Sequence, residues 1–77
     1  TTTASRVARD RVRSLFERAG ADPAEASQFE RLVSTAVLGF AASEASGRFE
    51  GQSRAQLDRD FAVLLDMLRT ALVARLS

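Results

Sequence analysis

The chain has 77 residues, a formal charge of +1 and a hydrophobic content of 45%, enough for a packed core and too much for a disordered tail. All eleven basic residues are arginine, and neither cysteine nor histidine occurs. That composition excludes a disulfide scaffold and a thiolate or imidazole metal site, and it gives no global drive toward nucleic acid or an anionic membrane. A chain this small buries only roughly 60% of the surface its unfolded form exposes, so an independent fold needs help, and oligomerisation is the ordinary route left.

The first predicted helix runs over about 4–19, with Val12, Leu15, Phe16 and Ala19 at helical spacing and Gly20 as its C-terminal cap. Arg6, Arg9 and Arg13 share one face, with Arg11 nearby. Such a stripe suits phosphate contact, but Arg6 can pair with Asp10 and Arg13 with Glu17 at i,i+4, and no aromatic or amide lies among them to read bases. The expectation is a self-paired, solvated face.

The second helix, about 23–46, has the clearest start: Asp22 as N-cap, Pro23 at the first helical position and Glu25 three residues after the cap. From Leu32 to Ser43 it carries no charge. At about 100° per residue, Phe29, Leu32, Val33, Ala36, Val37 and Phe40 form one broad apolar stripe, while Leu38 falls opposite, flanked by Ala41 and Ala42. A helix apolar on both sides must be covered on both sides, and a 77-residue chain with two other helices can cover only one, so a second chain is expected on the Leu38 side. Gly39 in mid-helix costs about 1 kcal/mol relative to alanine. Its small neighbours Thr35, Ala36 and Ala42 would let another helix cross closely there. Glu44, near the helix end on the side of Val37, is either held against a polar partner or simply exposed.

Gly47 ends this helix, and the loop to Ser53 presents Phe49 between charged neighbours, either tucked over the helix ends or offered to a partner. Ser53 and Gln56 repeat the capping-box spacing and open the third helix, about 54–75. Its apolar positions are Leu57, Phe61, Leu64, Leu65, Leu68, Leu72 and Leu76, widened by Val63 and Met67. Asp58, Arg59, Asp66, Arg69 and Thr70 form a narrow wet side. No period-two run reads as a strand, so the fold class is all-α with three helices in one domain spanning residues 1–77.

Catalysis has little to stand on. Histidine, cysteine, lysine and tyrosine are missing, and the carboxylates Asp58 and Asp60, like Glu25 and Glu30, diverge around their helices. The same divergence leaves no oxygen cluster for a hard cation. No enzyme activity, cofactor or metal is expected. No apolar run reaches the roughly 18 residues of a membrane span, and no targeting pattern occurs, so a cytoplasmic protein without membrane contact is expected.

The string Ala36-Val37-Leu38-Gly39-Phe40, followed by Glu44 and Gly47-Arg48-Phe49, resembles the C-terminal domain of tetracycline-repressor-type (TetR-type) transcriptional regulators. Their penultimate helix commonly carries a Gly-Phe pair, a following acidic residue and a Gly-x-Phe exit. The Ala-Gly-Ala-Asp-Pro-Ala-Glu approach at 19–25 and the Phe61, Leu64, Leu65, Asp66, Leu68 pattern are similar to that family as well. The resemblance implies that the last two helices form an intermolecular four-helix bundle in a homodimer. Leu38, Ala42 and Phe49, with Phe61, Leu64, Leu68 and Leu72, would then lie near the partner. Phe16, Phe29, Val33, Val37 and Phe40 would face the domain body, where the family holds an effector cavity, here for a small apolar effector in the full-length regulator. The family's N-terminal helix-turn-helix has no counterpart in these residues, so the resemblance implies a C-terminal portion of a repressor that reaches DNA only through that missing domain. The alternative reading is a freestanding helical interaction module that takes an amphipathic helix of another protein into its groove.

Overall fold

Local capping explains most of the architecture. In a computed structural model, which describes residues 3–77, the chain forms three helices: α1 (Thr3–Arg18), α2 (Pro23–Ala45) and α3 (Arg54–Leu76). Among the described residues there is no strand. The helix limits fall within one residue of those predicted, inside the usual ambiguity of helix ends.

α1 ends in a Schellman motif. The Ala21 N–H donates to the Phe16 carbonyl at 3.0 Å and the Gly20 N–H to that of Glu17 at 3.1 Å, which satisfies carbonyls that would otherwise lack a partner. This geometry needs positive φ at the residue after the cap, and Gly20 supplies it at +113°. The same arrangement ends α2: Arg48 N–H donates to Ser43 O at 3.0 Å, Gly47 N–H to Glu44 O at 3.3 Å, and Gly47 has φ of +84°.

α2 opens with a complete capping box. The Glu25 N–H donates to Asp22 Oδ1 at 2.8 Å while the Asp22 N–H donates back to Glu25 Oε1 at 3.2 Å. Asp22→Ala removes the cap acceptor and is expected to cost about 0.5–2 kcal/mol in denaturant unfolding. An unchanged unfolding midpoint would show the box to be dispensable.

At α3 only half of the expected box forms. Ser53 Oγ accepts from the Gln56 N–H at 3.0 Å. The Gln56 amide does not turn back to Ser53. It donates to Asp60 Oδ1 at 2.7 Å and accepts from Arg59 Nη2 at 2.8 Å. A neutral amide with an ionised partner one turn along the helix makes the stronger, charge-assisted bond there.

The chain divides into two compact units, the first holding α1, the first part of α2 (up to Thr35) and Leu76, the second the rest of α2 and α3 up to Arg75. In the first unit Ala21, Ala26 and Phe29 are buried, and the Phe29 ring meets that of Phe16 edge-on at 5.7 Å. Ala26 is 0% exposed, facing the interior of this unit. In the second unit Leu57 is buried, and the Phe40 ring packs on Phe49 at 5.1 Å and Phe61 at 5.3 Å.

A candidate self-association surface and a charged cleft

The residues expected near a partner all lie in the second unit. Leu38, on α2, is 67% exposed, the most exposed large apolar side chain among the described residues. Ala42, one turn later, is exposed as well. Phe49, Phe61, Leu64, Leu68 and Leu72 are half-buried, each keeping part of its surface in water. Gly39 lies beside Leu38 with open space around it: a methyl group built there meets nothing within 4 Å. Among the described residues, then, no helix makes the close crossing that Gly39 permits.

The residues expected to face an effector cavity are shared between the units. Phe16, Phe29 and Val33 belong to the first, Val37 and Phe40 to the second. Phe29 is buried and the other four are half-buried. Phe40, expected to face the domain body, packs its ring against those of Phe49 and Phe61, expected near the partner. Helical azimuth sets the side on which Phe40 points, and the return of the loop and α3 sets what it meets. Phe49 is tucked onto Phe40 and is the loop's only aromatic anchor.

Leu32 corrects the stripe on which it was placed. It stands at the stripe's edge, 60% exposed, while Phe29 three residues earlier is 4% exposed. Val63 and Met67, which widen the apolar face of α3, are exposed too. Leu32, Leu38, Val63 and Met67 together leave apolar surface on α2 and α3 that this chain does not cover. Apolar area left in water is unfavourable by about 25 cal/mol per Å².

Two polar features frame the second unit. Glu44 pairs with Arg54, joining the end of α2 to the start of α3, and Arg54 Nε also reaches Asp58 Oδ1 at 3.0 Å. The hydrogen bond to Glu44 raises the Arg54 pKa above its already high ordinary value, so this cation is permanent. Glu44 thus has its polar partner within the chain.

A charged cleft of about 220 Å³ opens between α1 and α2 within the first unit. α1 contributes Arg6, Arg9, Asp10 and Arg13. α2 contributes Ser27, Glu30 and Arg31. None of the five residues expected around an effector lines it. Glu30 is 6% exposed and accepts one hydrogen bond, from Ser34 Oγ at 3.3 Å. Sequence reasoning placed Glu30 only by its divergence from Glu25. The available signal was Ser34 at i+4, a donor for a carboxylate beside the buried Phe29. The expected Arg6–Asp10 pair is not formed: Asp10 is taken by Arg13 at 3.1 Å, and Arg13 reaches Glu17 at 3.7 Å as expected.

Among the described residues no group of three or more acidic side chains is placed to hold a metal ion, and no helix is long and apolar enough to cross a membrane. No family model, curated protein or solved structure matches this chain.

Proposed function

We propose that the chain is a self-association module, the dimerisation portion of a TetR-type transcriptional regulator, in which α2 and α3 meet their copies across a two-fold axis. The observation that carries this reading is the exposure of Leu38 beside Gly39 and Ala42 on the stretch of α2, residues 32–43, that carries no charge. A symmetric contact needs a self-complementary patch, and a small-residue stripe with one large apolar side chain on its flank supplies one. The resemblance of the 36–49 string to the penultimate helix of that family supports it independently. The role that follows is assembly: the contact would set the spacing of two DNA-reading heads and couple them to an effector.

Gly39→Ala tests the crossing. In a lone helix the substitution is expected to raise helical stability by about 0.8–1.0 kcal/mol, because the new methyl meets nothing in the chain. At a close crossing it separates the two backbones and weakens association. Sedimentation equilibrium of both chains, with helicity followed across the same concentrations, is expected to show a dimer whose dissociation constant rises in the variant while the monomer becomes more helical. A wild-type chain that stays a helical monomer throughout would transfer the exposed face to a different protein's amphipathic helix.

A further inference from the structure

The charged cleft of the first unit is independent of the self-association reading, since it lies within one chain. A self-paired arginine face needs a carboxylate for each guanidinium, and the pairing here is uneven. Arg13 takes both Asp10 and Glu17, and among the described residues Arg6, Arg9 and Arg31 make no salt bridge. Glu30, the buried carboxylate in the same cleft, is held by Ser34 and not by any of them. Three uncompensated guanidinium groups from two helices therefore border one small volume, where their mutual repulsion is relieved by an anion that accepts from several at once.

We propose that this cleft binds a small, multiply charged oxyanion of the phosphate class, with Arg6 and Arg9 of α1 and Arg31 of α2 as its donors. Planar guanidinium forks match the oxygen spacing of phosphate, whose higher charge and additional oxygens let it accept from three arginines in different directions. The volume of about 220 Å³ lies below that of drug-sized sites and admits a phosphate or pyrophosphate group with little attached to it. The lining holds no apolar side chain, so an apolar effector does not fit. Glu30 opposes the bound anion, and its charge lowers the affinity that the arginines would otherwise produce.

The test is isothermal titration of the full chain with inorganic pyrophosphate, at low ionic strength and at about 0.15 M salt. One site per chain is expected, with Arg9→Ala and Arg31→Ala each weakening it about tenfold. Arg11→Ala and Arg18→Ala remove the same charge outside the cleft and are expected to change affinity by less than about twofold. Glu30→Gln, which keeps the side-chain shape and removes the like charge, is expected to tighten binding, and circular dichroism verifies that each variant keeps its helicity. Absence of binding, equal weakening by Arg11→Ala and Arg9→Ala, or no gain from Glu30→Gln would each overturn the site. Tighter binding of a single-stranded oligonucleotide, with no dependence on Arg31, would overturn it in favour of a diffuse nucleic-acid contact.

Discussion

Phe29→Ala is expected to destabilise the chain by about 3–5 kcal/mol, the largest effect of any single truncation. Phe29 is 4% exposed and its ring meets Phe16 edge-on, a contact worth about 0.5–1.5 kcal/mol beyond the area it buries. Domains of this length hold on the order of 4–12 kcal/mol of net stability, so the loss removes a large share of the total. Few side chains are buried in this chain, and no other aromatic among the described residues is. Urea unfolding at fixed protein concentration measures the effect, because association adds its own stability. Leu15→Ala is the control: Leu15 shares α1 with Phe16 but is exposed, and its loss is expected to cost within about 0.5 kcal/mol. Equal costs for the two would show that Phe29 is not the anchor of the first unit.

Leu38→Glu is expected to raise the dimer dissociation constant by at least about 100-fold, corresponding to roughly 2.7 kcal/mol. The side chain is largely in solvent within one chain, so the glutamate costs that chain little. In a two-fold contact the same substitution places two carboxylates at one apolar seam, where each loses hydration and gains no partner. Sedimentation equilibrium reads the shift directly. A variant that dimerises as tightly as the parent would move the contact away from Leu38 and with it the proposed bundle.

Both expectations rest on side chains whose helical positions were legible in the sequence, and they differ in what the third dimension adds. Asp22, Pro23 and Glu25 announce the start of α2, and Gly20 and Gly47 announce the ends of α1 and α2, because each motif closes hydrogen bonds across a few residues of chain. Where two local partners compete, the pattern was less informative. Asp10 lies within reach of both Arg6 and Arg13 and pairs with Arg13, while the Gln56 side chain leaves Ser53 for Asp60 and Arg59. Spacing names the possible partners in such cases, and side-chain packing chooses among them.

The charged cleft was half legible. Arg6, Arg9 and Arg13 could be placed on one face by their spacing, but their weight as a site depends on Arg31 and Glu30, which come from another helix. Their approach follows from the turn at Gly20, which brings the first part of α2 back along α1.

Three helices, their limits to within a residue, and apolar side chains all around the middle of α2 are legible from residue spacing, because helix period and capping are relations between residues at most four apart. That Phe40 rests on Phe49 and Phe61, that Glu30 is buried while Leu32 is exposed, and that Leu38 faces solvent came from the packing of the folded chain. Those outcomes depend on which distant segments cover each face, and a chain of this size has too little surface to cover them all.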